Sequence, residues 1–227
     1  MNLSHKLFEE FCFQDLATQM LSSSINKNHI APAYLFTGPQ GVGQKEIALR
    51  FLEGILIMGS KNLNREKIRK RIESGNHPDL YKIEPTYSIK GKLINQSIYD
   101  SENFNSHAIA QIRLEQIKNL KYFLNQKPIE CKLSMVLLEN VEELNESAAN
   151  ALLKTLEEPI NGLLILISSR PEQLLVTIKS RCQTIPFKPL SNTLLQKNLN
   201  QDTLSQTFAA YKKELLVLSN GSPNLLE

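Results

Sequence analysis

Residues 33–57, AYLFTGPQGVGQKEIALRFLEGILI, constrain the fold more than any other stretch of the chain. Tyr34 to Thr37 read as a short apolar strand. A glycine-rich turn follows, and then Ile47, Ala48, Phe51, Leu52 and Ile55 recur at helical spacing. A strand that turns through glycines into a helix is the frame of a phosphate-binding loop, G-x-x-x-x-G-K-[ST]. Gly38 and Gly43 stand at the right spacing, but the lysine position holds Gln44 and the hydroxyl position holds Lys45.

Those two exchanges matter because of what the missing groups do. In a working loop the backbone N–H groups hold the phosphates, the lysine neutralises their charge and the hydroxyl ligates Mg²⁺. The scaffold of Gly38, Pro39, Gly41 and Gly43 can keep an anion-shaped nest. Gln44 brings no charge. Lys45 starts one residue further round the helix, about 100° from the required direction. The expectation is a loop kept for its shape, with no required cofactor and at most a weakly held, vestigial ATP or ADP.

The rest of the chain alternates strand and helix. DLYKIEP reads as a second strand, and residues 86–108 as a polar loop. HAIAQIRLEQIKNLKYFLNQKP has helical spacing through Ile109, Ile112, Ile117, Leu120 and Leu124. Met135 to Leu138 form a continuous apolar run, the mark of a strand buried on both faces. Asn145 can cap a helix whose apolar face is Ala148, Ala149, Leu152, Leu153 and Leu156, and Pro159 stops it. GLLILISS is another buried strand. PEQLLVTIKSRCQTIPF gives a short helix, a turn and a last strand around Gln183 to Phe187. This order implies an α/β fold with a parallel sheet covered by helices on both faces. Residues 1–188 form that core, and 189–227 begin a small helical lid.

A hydrolase of this class also needs an acidic strand end: an aspartate that holds the metal, then a carboxylate that activates water. The chain offers VLLEN. Glu139 takes the aspartate position, and Asn140 takes the position of the base, where an amide accepts no proton. Losing a general base alone costs about 10²–10⁴ in rate. Glu142 and Glu143 read as a solvated strand terminus. Defects in both halves of one site argue against hydrolysis by this chain.

Composition excludes other classes. The chain of 227 residues has a net charge of +3, too mild to identify a nucleic-acid binder. Its basic segment 59–76 lacks interleaved aromatics and mixes both charges, as a solvated helix or an excursion from the core does. The three cysteines, Cys12, Cys131 and Cys182, are far apart and suit a reducing cytoplasm. They give no zinc pattern, so no metal is expected, and His77 reads as structural. No apolar run approaches the length of a membrane span.

The stretches FTGPQGVGQKEIA, NHPDL, AANALLKTLEEP and SRCQ occur in this order. Together they resemble the clamp-loader ATPases of bacterial replication, the AAA+ subunits of DNA polymerase III, over roughly residues 8–190. The degenerate loop and strand end are similar to the delta-prime branch more than to tau/gamma, which keeps an intact loop. The resemblance implies a AAA+ P-loop fold and a cytoplasmic hetero-oligomer with tau/gamma and delta subunits. Such a complex places a sliding clamp on primed DNA within a DNA-directed DNA polymerase, a nucleotidyltransferase. It implies no intrinsic ATPase activity. It also implies that Arg181 of the motif Ser180, Arg181, Cys182 acts in trans as an arginine finger on a neighbour's ATP. The zinc module common in the family is not expected, because residues 59–76 contain no cysteine. The helical collar domain that builds the family's ring is not expected within these 227 residues, which are either truncated or naturally short. The alternative is a tau/gamma-like ATPase that hydrolyses ATP itself, using Lys45 and Glu139 in shifted geometry.

Overall fold

In a computed structural model the described residues are 7–59, 65–89, 92–95, 99, 109–158 and 162–189. The strands are β1 (Ala33–Thr37), β2 (Leu80–Ile83), β3 (Thr86–Ile89), β4 (Lys92–Asn95), β5 (Ser134–Leu138), β6 (Gly162–Ser168) and β7 (Gln183–Pro186). The helices are α1 (Asp15–Asn26), α2 (Gln44–Gly59), α3 (Arg65–Glu73), α4 (Leu114–Asn125), α5 (Glu146–Glu157) and α6 (Val176–Lys179). Five strands form one sheet in the order β2-β5-β6-β1-β7. Each neighbouring pair in it is parallel.

Strand side chains alternate between two cores. Tyr34, Phe36, Met135, Leu137, Leu163 and Ile165 face a cluster closed by α1, α2 and α3. Leu35, Val136, Leu138, Leu164 and Leu166 face a second cluster closed by α4, α5 and α6. β5 and β6 are buried throughout, which is why their sequences run apolar without a period. Asn145 caps α5 as expected, its Oδ1 accepting from the Ala148 N–H at 2.8 Å. Leu153 and Leu156 pack only partly, and Thr155 takes a buried place on that helix.

Three expectations are corrected. Residues 86–108 are not simply a loop, since β3 and β4 pair as an antiparallel ribbon outside the main sheet. Each strand has only four residues and little buried surface, so the alternation is too short to stand out. The helix expected from Ile109 starts at Leu114, with Ile112 bridged to Leu144 and Ile109 exposed. Within 59–76 the helix reading holds over α3, but that helix is not wholly solvated, since Ile68 and Ile72 are buried on the α2 side of the sheet. The lid, residues 189–227, lies outside the described residues apart from Pro189.

Candidate functional site

Parallel pairing puts the carboxyl ends of β1, β5 and β6 at one edge of the sheet, where ligands of open α/β folds bind. The register aligns Thr37 with Ser168 and Leu138 with Leu166. The glycine loop leaves β1 there, and Glu139 and Asn140 leave β5. Between them lies a cavity of about 210 Å³ lined by Gln40, Gly41, Gln44, Lys45, Glu46, Glu139, Asn140 and Ile167. The two halves read separately from the sequence therefore form one site.

The loop's shape rests on close approach. A Cβ on Gly38 would sit 2.5 Å from the Phe187 carbonyl oxygen and 2.8 Å from its Cβ. Gly43 has φ +92°, with Phe13 packed where a side chain would begin. Gly38, Pro39 and Gly43 shape the loop without lining the cavity, while Gly41 lines it.

Gln44 is 5% exposed and turns inward. Its Nε2 donates to the Gly38 carbonyl at 3.2 Å and to the Ser168 carbonyl at 3.5 Å. The amide therefore ties the loop closed and offers nothing cationic to a phosphate. Lys45 departs from expectation. It does not point away from the site, because its ammonium lies 2.9 Å from Glu139 Oε1. The helix fixes where the side chain starts, but a flexible four-carbon stem decides where its charge ends.

Asn140 has a structural reason for its identity. Its φ of 51° and ψ of 53° are left-handed, a region asparagine enters more readily than most residues. Glu142 and Glu143 are not a solvated terminus. The Glu142 side chain is buried and accepts from Ser169 N–H at 3.1 Å and Ser169 Oγ at 2.6 Å, while Glu143 pairs with Arg170. Lys82 and Glu84 border the same charges. Burial and then Lys45 hold the Lys82 ammonium below its usual range, and burial and then Glu139 raise the Glu84 carboxyl.

Two connections were not legible in the sequence. The Gln14 side chain, 3% exposed, donates to the carbonyls of Val42 (3.2 Å) and Lys188 (2.7 Å) and accepts from Lys188 N–H (3.1 Å). It joins the loop to the segment leaving β7. Glu53 on α2, fully buried, collects Arg50 at 3.3 Å, Arg65 at 2.7 Å and Arg69 at 3.2 Å.

His77, Asp79 and Cys131 bring three potential metal ligands together. Their bonding already closes the cluster. The Asp79 carboxylate accepts from the N–H groups of Ile129 (2.6 Å), Glu130 (2.8 Å) and Cys131 (2.8 Å). Burial alone would raise that carboxyl, but these N–H groups outweigh it and hold it below the usual range. His77 Nδ1 accepts from the Asp79 N–H at 3.2 Å. The neutral ring therefore carries its proton on Nε2, the nitrogen that faces Cys131. Burial, then Asp79, raises the thiol pKa further. These hydrogen bonds anchor the turn before β5.

Arg181 follows α6 and is exposed, next to edge strand β7. Its Nη1 donates to the Thr177 carbonyl at 2.9 Å and its Nη2 to Glu157 Oε1 at 2.7 Å. Ser180 Oγ donates to the same carbonyl at 3.1 Å, and the Cys182 thiol, desolvated by burial, is pushed up to about 11. None of the three lines the loop cavity.

Residues 13–191 match the family model described as DNA polymerase III, delta subunit. The chain is 30% identical over 230 residues to DNA polymerase III subunit delta' of Bacillus subtilis, covering all of this chain and 61% of that protein. It is 34% identical over 201 residues to subunit delta' of Pseudomonas aeruginosa, covering 85% of this chain and 54% of that protein. The chain thus spans between half and two thirds of the length of these relatives. Among solved structures, a DNA polymerase III gamma subunit-related protein of Thermotoga maritima superposes with a TM-score of 0.55 at 19% identity. That match covers 91% of this chain and 56% of the other.

Proposed function

The chain belongs to the DNA polymerase III delta-subunit family, and on that premise we propose that it serves as a delta-prime-like subunit of a clamp loader. It works in the cytoplasm beside tau/gamma and delta subunits, and through them on the sliding clamp and primed DNA. Its own loop turns over no ATP. The observation that carries this reading is Gln44, whose amide is spent on the Gly38 and Ser168 carbonyls where a phosphate lysine would stand. The Lys45 ammonium is paired with Glu139 rather than held free for a phosphate, which supports the non-hydrolysing reading. Asn140 supplies no base. No ATP-dependent step is assigned to these residues.

Arg181 is the exposed cation that this reading puts to work: its guanidinium rests on Glu157 and the Thr177 carbonyl and would exchange Glu157 for a neighbour's phosphate. Its guanidinium is permanently charged, and its fork of donors matches phosphate oxygens. In this reading it stabilises the charge that develops on the γ-phosphate of a neighbouring subunit, with Ser180 and Cys182 shaping the turn that presents it. A finger supplied in trans is worth about 10³–10⁵ in turnover where one site is measured. A loader with several sites loses less.

The test reconstitutes the chain with delta and tau/gamma subunits, clamp and primed DNA, and follows ATP hydrolysis and clamp loading. The chain alone should give background phosphate release. Arg181→Ala should assemble as wild type and lower stimulated hydrolysis, and Arg181→Lys should recover little of it. Normal assembly with wild-type hydrolysis and loading in Arg181→Ala would remove the trans role. Phosphate release by the isolated chain that vanishes in Lys45→Ala would restore the ATPase alternative.

A further inference from the structure

The cation chemistry of the loop cavity does not match the divalent metal its frame implies. In a working loop, Mg²⁺ is held by the hydroxyl after the lysine and by the carboxylate at the end of the neighbouring strand. Here those positions carry Lys45 and Glu139, and the two meet at 2.9 Å. An ammonium has no lone pair to give a metal. Mg²⁺ needs near-octahedral oxygen ligands at about 2.0–2.1 Å, and one of the two Glu139 oxygens already accepts from Lys45.

The charges around the pair are also nearly balanced. Lys45 and Lys82 stand against Glu139 and Glu84, with Lys82 and Glu84 feeling both members of the pair, and Glu46 adds one carboxylate at the rim. A divalent ion would bring two further positive charges into a set that two lysines already serve. The pair is half open to water, with Glu139 18% and Lys45 47% exposed, and both residues line the cavity.

We propose that the Lys45 ammonium is a built-in replacement for the divalent cation. It fastens the glycine loop to the end of β5 without nucleotide or metal, and it closes the site to Mg²⁺. Gln44 performs the other half of the substitution, tying the loop internally through Gly38 and across to β6 through Ser168. These contacts favour one shape of the loop, which suits a subunit whose neighbours cycle while it does not. Of the proposed function, only that last consequence depends on the clamp-loader reading. The metal replacement stands or falls on this chain alone.

The experiment is amide hydrogen exchange of the full chain with and without millimolar Mg²⁺, in wild type, Lys45→Thr, Lys45→Arg and Glu139→Gln. In wild type the amides of residues 40–46 should exchange at the same rate with or without Mg²⁺. Lys45→Thr should speed them by about fivefold, the size of a half-exposed pair, and Mg²⁺ should recover part of that loss. Lys45→Arg should stay within about twofold of wild type. Glu139→Gln should speed the same amides and respond to no metal. Amides of β1 and β6 report whether any variant has lost its fold as a whole, and they should not change. Three results overturn the proposal: Mg²⁺ slowing the wild-type loop, Lys45→Thr exchanging like wild type without metal, or Mg²⁺ failing to slow the Lys45→Thr loop. A failed reconstitution with tau/gamma would touch only the proposed function.

Discussion

Glu53→Gln should detach α3 from α2 at a cost that can be worked from the contacts. The Glu53 carboxylate is fully buried and accepts from Arg50, Arg65 and Arg69. Glutamine keeps the shape, removes the charge and turns an N–H₂ toward guanidinium donors. Breaking a buried ion pair in this way costs about 3–5 kcal/mol. The arginines are 12%, 34% and 29% exposed, so they can turn partly to water. That places the loss near the lower end, about 3 kcal/mol. A domain of this size moves its Tm by roughly 2–4 °C per kcal/mol, giving a fall of roughly 6–12 °C. Urea unfolding and thermal melts measure the total, and amide exchange over Arg65–Glu73 shows where it falls. Ile68 and Ile72 remain buried in the variant, so α3 should loosen before the sheet does. High salt should not reproduce the effect, because buried charges are screened little. A loss below about 1 kcal/mol, the worth of an exposed pair, would refute the claim that Glu53 organises the contact.

Gly38→Ala should destabilise by about 1–3 kcal/mol, measured by urea unfolding, because its Cβ would fall 2.5 Å from the Phe187 carbonyl oxygen. The Asp79 carboxyl lies below its usual range in the folded state. Its contribution is therefore present above the unfolded pKa, near 3.8, and is lost as pH falls through the lower folded value. Asp79→Asn should be less stable at neutral pH and show a flatter acid limb in melts between pH 5 and 2. With its pKa raised to about 11, the Cys182 thiol is almost wholly protonated at pH 8. Alkylation there should be much slower than for a free thiol and should quicken as pH rises toward 11; labelling at pH 8 as fast as that of a free thiol would contradict its burial.

The fold was legible where local pattern and tertiary role coincide. The glycine spacing of the loop, the unbroken apolar run of β5 and the Asn145 cap of α5 each reflect a constraint that acts within a few residues. The hairpin of β3 and β4 was not legible, since its strands have four residues each and pair mainly with one another. Glu53 was also hidden: two of its partners lie 12 and 16 residues away on another helix. In sequence it is one acid among the polar positions of α2. At the site, helical geometry located Lys45 but could not say that a long stem would carry its charge to Glu139. The defect at Asn140 was visible, while its left-handed backbone, an independent reason for asparagine, was not.

The contact between Lys45 and Glu139 also bears on how such a site changes over generations. Lys45→Thr alone strands a carboxylate beside the loop. Gln44→Lys alone sets a second ammonium beside the first, in a position 5% exposed. Asn140→Asp fits the backbone but adds negative charge next to Glu139. Each single step toward a hydrolase should therefore loosen the loop before any activity can reward it, while paired exchanges should disturb it less. Positions 44, 45 and 139 should drift together among related chains, and a lineage that has acquired this arrangement should rarely return to ATP hydrolysis by separate substitutions.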